Sequence, residues 1–137
     1  MPLALLVETD PALSHLMQNT LERAGFEVRV CEKASWVGPA LLTFNQISNH
    51  HLLLVLSEYV ARVQRGPLIS AIKTRFRSHE TPLRTVLTAD VASTEPLPEL
   101  HELDVAAILE KPFSLEELER VAERIRLSMS YTLFPVE

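Results

Sequence analysis

The chain has 137 residues, of which 47% are hydrophobic and 23% are charged. This length and balance are typical of one globular domain, so a second domain is not expected. Thirteen Lys and Arg against eighteen Asp and Glu give a net charge of −5, which disfavours binding of this domain to nucleic acid or to an anionic membrane.

The opening segment MPLALLVETD contains only a short apolar run, and no basic residue precedes it. It therefore resembles neither a signal peptide nor a membrane anchor, and we expect a cytoplasmic protein. The single cysteine, Cys31, cannot form an internal disulfide and is predicted to fill space in the apolar stretch FEVRVC. The five histidines show no ligand spacing with Cys, Asp or Glu, so zinc is not expected.

Apolar runs alternate with helical periodicities along the chain, which is the pattern of repeated βα units. Three of the five predicted strands are continuously apolar, as expected for central strands of a parallel sheet covered on both faces. The sequence therefore predicts an α/β domain with strands over 3–8, 26–31, 52–57, 84–89 and 106–111.

The first helix has clear signals at both ends. Asp10 stands at the cap position, Pro11 at the first helical position and Gly25 at the end. Shorter helices are predicted near 35–46, 66–77 and 97–103, where prolines blur the boundaries.

The closing helix begins after Ser114, which forms a capping box with Glu117. Its apolar stripe fades after about Leu127. We therefore expect a domain over residues 1–128, and a tail or the start of a linker over 129–137.

Polar side chains follow four of the predicted strands at the point where each strand ends. Because the carboxyl ends of parallel strands meet at one edge of a sheet, where such folds bind ligands, we expect these side chains to form one site. The first strand is followed by three of them, the third by two, and the fourth and fifth by one each: Glu8, Thr9, Asp10, Ser57, Glu58, Thr88 and Lys111.

This ordered set resembles the receiver domain of two-component response regulators over nearly all of residues 3–126. The resemblance lies in the acidic cluster after the first strand, in LVLSE followed by seven residues and Gly66, and in the LTA and KPF motifs that close the last two strands. It implies a flavodoxin-like, doubly wound (βα)5 fold with strand order 2-1-3-4-5 and helices on both faces. It also places Glu58 at the phosphoacceptor position, and Thr88 and Lys111 where the family holds phosphoryl oxygens.

Three departures from the family pattern argue against ordinary phosphorylation. Glu58 replaces an aspartate, and a displacement of about 1 Å can cost ~100-fold in a positioned reaction. Thr9 replaces the second acid of the family's magnesium site, while Asp10 is better used as a helix cap. Ile108 replaces the aromatic residue that, with the threonine at position 88, forms the family's switch. We predict no cofactor, and at most weak magnesium binding.

We expect the Glu58 carboxylate to act as a built-in anion that reaches toward the phosphoryl position and pairs with Lys111, with Thr88 as a further contact. A simpler alternative is that Glu58 is a solvated residue opening a loop. No residue is assigned a catalytic role, and the predicted remnant pocket comprises Glu8, Thr9, Asp10, Thr88 and Lys111.

The predicted function is that of a divergent pseudo-receiver, a non-enzymatic module for signal transduction or protein interaction that is independent of aspartyl phosphorylation. The resemblance implies a histidine kinase or an output domain or protein as partner, and a homodimer through the fourth helix, fifth strand and fifth helix. Two alternatives stay open. One is a working receiver phosphorylated with magnesium on Glu58, Asp10 or Ser57. The other is a small flavodoxin-like enzyme or ligand-binding domain, although the sequence lacks a glycine-rich loop or an activated nucleophile.

Overall fold

The computed structural model describes residues 2–47, 51–78, 83–90 and 105–133. These ranges contain a five-stranded parallel sheet of order β2-β1-β3-β4-β5, which confirms the predicted fold class and strand order. Each strand lies within one residue of its predicted bounds: β1 (Leu3–Val7), β2 (Glu27–Cys31), β3 (Leu52–Ser57), β4 (Leu83–Asp90) and β5 (Val105–Lys111).

Helices cover both faces of the sheet, because the side chains of its central strands alternate between two apolar cores. Leu5 and Leu54 belong to the core on one face, and Leu6 and Val55 to the core on the other. The first core contains residues of α2 (Val37–Ile47), α3 (Glu58–Val63) and α4 (Arg65–Ser78); the second contains residues of α1 (Pro11–Arg23) and α5 (Leu115–Leu133). The continuous apolar runs of β1 and β3 follow from this burial on two sides.

Two helices differ from the prediction. The apolar stripe of α5 fades in the sequence after Leu127, yet the helix continues to Leu133, and Met129 packs into the core with only 2% exposure. The expected boundary at residue 128 therefore falls inside a helix. The short helix α3 was not predicted.

The helix predicted over 97–103 lies outside the described residues. It is the fourth helix of the predicted homodimer face, so that part of the face also lies outside them. Within the described part of the chain, no helix is long and apolar enough to cross a membrane.

Cys31 packs in the core, as expected, with 4% of its surface exposed. Its thiol donates a hydrogen bond to the backbone carbonyl of Lys33 at 3.2 Å, and burial raises the pKa of the thiol. Because the thiolate is the reactive form, a raised pKa makes Cys31 a poor nucleophile at neutral pH.

The end of α1 depends on a glycine that α5 approaches closely. Gly25 has a φ of 102°, in the left-handed region that favours glycine. A Cβ atom at Gly25 would lie 2.5 Å from the Cδ atom of Arg126 and 2.7 Å from its Nε atom. Arg126 Nε also donates a hydrogen bond to the carbonyl of Ala24 at 2.7 Å. The arginine of α5 therefore satisfies a carbonyl at the end of α1 only while residue 25 lacks a side chain.

We expect Gly25→Ala to lower the free energy of unfolding by about 1–2 kcal/mol, because alanine is strained at positive φ and would displace Arg126. Urea denaturation followed by circular dichroism measures this loss. Gly66→Ala is the matched control, since a Cβ atom there would meet nothing within 4 Å, and alanine favours the helix in which it lies. Equal stability of the two variants would contradict this account of Gly25.

Candidate functional site

The register of the sheet brings the ends of four strands to one edge. Val7 of β1 pairs with Leu56 of β3, and Ser57 of β3 pairs with Thr88 of β4. The chain leaves β1 toward β2 on one side and leaves β3 toward β4 on the other. The residues that follow β1 and β3 therefore lie beside each other at the point where the topology reverses, the usual position of a site in such sheets.

A cavity of about 300 Å³ opens at this edge. It brings together six of the seven side chains that were expected to form one site, from the ends of all four strands, and adds three other residues. The lining consists of Glu8, Thr9, Ser57, Glu58, Tyr59, Arg62, Thr88, Ala89 and Lys111.

Glu8 is buried at 7% exposure, and both of its carboxylate oxygens are engaged. Oε1 lies 3.4 Å from Nζ of Lys111, and Oε2 accepts a hydrogen bond from the backbone N–H of Asp10 at 3.0 Å. The peptide bond between Lys111 and Pro112 is cis. The lysine at the end of β5 is thus held against the acid at the end of β1.

Glu58 is the first residue of α3, which Ser57 caps by accepting a hydrogen bond from the N–H of Val60 at 3.1 Å. One helical turn later, Arg62 Nη2 lies 2.5 Å from Oε1 of Glu58. Only 12% of the Glu58 side chain and 33% of the Arg62 side chain are exposed. The carboxylate at the end of β3 is therefore buried and paired within its own helix.

The expectation that Glu58 pairs with Lys111 is wrong, because the lysine lies against Glu8 and the glutamate against Arg62. The simpler alternative, a solvated residue opening a loop, is also wrong, since Glu58 is buried and helical. The pairing of Glu58 with Arg62 follows from local geometry, whereas that of Glu8 with Lys111 joins the ends of β1 and β5. Residues four apart share a helix face, so the start of α3 at position 58 selects the arginine at position 62.

Asp10 and Ile108 do not line the cavity. Asp10 caps α1, where its Oδ1 accepts hydrogen bonds from the N–H groups of Ala12 at 3.0 Å and Leu13 at 3.4 Å. Of the two predicted switch positions, Thr88 is buried against the cavity, whereas Ile108 is 60% exposed on β5. Ile108 pairs with Leu87, the residue before Thr88 on β4, so the two predicted switch positions lie on neighbouring strands.

Solved structures of known proteins share this architecture. A CheY-like response regulator receiver domain protein from Methanospirillum hungatei JF-1 superposes with a TM-score of 0.64 at 16% identity, over 95% of both chains. The present chain has the fold of a receiver domain. A receiver domain protein from Bacillus halodurans C-125 gives 0.64 at 21% identity, over 90% of this chain and 97% of its own.

A third match is a larger protein. NtrX from Brucella abortus, solved in complex with ATP, gives a TM-score of 0.65 at 21% identity over 94% of this chain, which spans only 27% of NtrX. No protein-family model matches the sequence, and no curated protein matches it.

The cavity also contains Arg62, which was not among the predicted site residues. In the sequence it lies four residues after Glu58, the spacing of an ion pair on a helix. Ser57, directly before Glu58, was an equally visible sign of a helix start. Together these two signals could have predicted both α3 and its ion pair.

The oxygen ligands in this cavity do not suit the magnesium ion of the receiver family. In the family, that ion is held by an acid pair, by the phosphoacceptor and by a backbone carbonyl two residues after the acceptor. Thr9 offers a hydroxyl instead of the second acid, and the carboxylates of Glu8 and Glu58 are already paired with basic side chains. The carbonyl of Val60 accepts a hydrogen bond from the N–H of Gln64 at 2.9 Å. Magnesium prefers hard oxygen ligands in octahedral geometry, and these oxygens are largely committed elsewhere.

Proposed function

We propose that this chain is a regulatory module of receiver fold that works without aspartyl phosphorylation. The observation that carries the proposal is the state of position 58, where a buried glutamate carboxylate is held by Arg62. In-line attack on a phosphoryl donor needs a carboxylate oxygen about 3–3.5 Å from phosphorus and aligned with the bond to be broken. Arg62 holds one oxygen of Glu58, and the extra methylene displaces the other from the position that an aspartate oxygen would take.

The charge balance of the cavity supports the same conclusion. Its two described carboxylates, Glu8 and Glu58, are matched by two basic side chains, Lys111 and Arg62. A phosphorylated side chain carries about −1.5 to −2 charges and needs donors for its oxygens. A phosphoryl group could recruit Lys111 only by taking it from the buried carboxylate of Glu8, which is strongly unfavourable.

A role in protein interaction fits the surroundings of the cavity. Tyr59 and Val63, one turn apart on α3, are 70% and 53% exposed, and large side chains of this kind contribute contact area at interfaces. Among the structural matches, one comes from a three-domain response regulator/sensory box/GGDEF protein of Carboxydothermus hydrogenoformans. We infer that this chain likewise acts on a protein partner, either an output domain or protein or a histidine kinase.

The decisive experiment is incubation of the chain with acetyl phosphate and Mg²⁺, followed by intact mass measurement. We expect no phosphoryl adduct on the natural chain. We also expect none on Glu58→Asp, because that change restores the acceptor but neither the acid missing at Thr9 nor the carbonyl of Val60. A receiver domain with an aspartate acceptor, treated in parallel, shows that the donor is active.

A stable adduct on the natural chain would refute the proposal and favour a working receiver with an unusual acceptor. An adduct on Glu58→Asp alone would show that side-chain length, rather than the whole cavity, prevents the reaction.

A further inference from the structure

An arginine side chain supplies a positive charge next to Glu58, at the end of β3. Arg62 lines the same cavity as Glu8 and Glu58 and contacts the glutamate at the phosphoacceptor position. We propose that its guanidinium is the resident cation of this site, neutralising Glu58 where a receiver of the family would use a divalent metal ion and keeping such ions out. The inference rests on the proposed function in one respect, the assignment of position 58 as a closed acceptor site.

The burial of Glu58 explains why a resident cation is needed. A carboxylate removed from water is strongly unfavourable unless a cation or hydrogen-bond donors compensate it. Arginine stays protonated in proteins and presents five N–H donors. Because it is covalently attached one turn away on α3, its occupancy does not depend on the concentration of any ion in solution.

Removal of the guanidinium should change the balance of the cavity. With Arg62 present, the described lining has two carboxylates and two basic groups, so an entering divalent cation meets no net negative charge and a guanidinium that repels it. With Arg62 replaced by alanine, Glu58 loses its cation while Glu8 stays beside Lys111, so the described lining carries one net negative charge. One or two carboxylates can hold Mg²⁺ or Mn²⁺ when water completes the coordination.

The test compares four forms of the chain: the natural sequence, Arg62→Ala, the double variant Arg62→Ala/Glu58→Gln, and Arg29→Ala. Arg29 is the matched control because its ion pair with Glu27, at 3.2 Å, is exposed and lies on β2. Thermal unfolding is recorded with and without Mg²⁺ or Mn²⁺, and electron paramagnetic resonance counts bound Mn²⁺.

We expect Arg62→Ala alone to bind about one Mn²⁺ per chain and to gain about 5 °C in Tm at a cation concentration ten times Kd. The natural chain, the Arg29 control and the double variant should bind none. Absence of Mn²⁺ binding by Arg62→Ala would overturn the inference, and so would equal binding by the natural chain.

If Arg62→Ala does not fold with or without cations, Arg62→Gln replaces it, because glutamine removes the charge while keeping an N–H donor. Mn²⁺ binding by Arg62→Gln alone would support the inference, and its absence would overturn it. The two proposals can fail separately. A phosphoryl adduct that peptide mass mapping places on Ser57 or Asp10 would overturn the proposed function alone, whereas an adduct on Glu58 would overturn both proposals. An Arg62→Ala variant that binds no Mn²⁺ would overturn the resident cation and leave phosphorylation independence standing.

Discussion

Replacement of Leu54 by alanine is expected to lower the free energy of unfolding by about 3–4 kcal/mol. Leu54 lies in the middle of β3 with 0% exposure, and β3 is the central strand of the sheet. Its side chain belongs to the core that residues of α2, α3 and α4 share. Truncation would lose the transfer free energy of the removed carbons and leave a cavity that the surrounding elements fill only in part.

Urea denaturation monitored by circular dichroism measures this effect. Leu127→Ala is the matched control, since the same chemical change is made at a leucine that is 51% exposed on α5, and we expect less than about 0.5 kcal/mol there. A loss at Leu54 no larger than that at Leu127 would contradict the central position of β3. Because Glu58 directly follows β3, the same measurement tests whether the strand that positions Glu58 is anchored in the core.

The strands could be predicted because their sequence pattern and their burial have the same cause. β3 is buried on both faces, so every position from Leu52 to Leu56 must be apolar, and the run ends where the strand ends. The start of α1 was equally predictable, because the capping bonds of Asp10 involve only its own first turn.

The convergence of the site could also be predicted, whereas its ion pairs could not. Parallel strands bring their carboxyl ends to one edge whatever residues stand there, so Glu8, Glu58, Thr88 and Lys111 were expected to meet. Which charges pair depends on side-chain directions and on the exact start of α3. The resemblance to receivers favoured Lys111 as the partner of Glu58, but an arginine on the same helix turn pairs with it without any long-range placement.

The length of α5 was missed for a different reason. The sequence from Ser128 onward mixes polar and apolar residues, and its periodicity is weak over so few positions. The structure shows Met129 buried against the core that includes α1. Packing against the rest of the domain, rather than local pattern, therefore extends the helix, as is general for helical stability in proteins.

The ion pair of Glu58 and Arg62 should respond unequally to removal of its two members. We expect Arg62→Ala to lower the free energy of unfolding by about 2–3 kcal/mol, because it leaves a buried carboxylate without its cation. This is below the value for a fully buried pair, since 33% of the Arg62 side chain is exposed and water screens part of the interaction. Glu58→Gln should cost less than about 1 kcal/mol, because the freed guanidinium can turn toward water.

A double-mutant cycle in urea denaturation separates the pair from its surroundings. The variant Arg62→Ala/Glu58→Gln should be more stable than Arg62→Ala alone by about 1 kcal/mol, since the second change removes the charge that the first left uncompensated. This rescue, in which a second substitution in the same site restores stability, distinguishes an electrostatic penalty from lost packing of the arginine stem, because lost packing would persist in the double variant. Additive losses would mean that Glu58 does not need Arg62, and would remove the physical reason for a resident cation at this site.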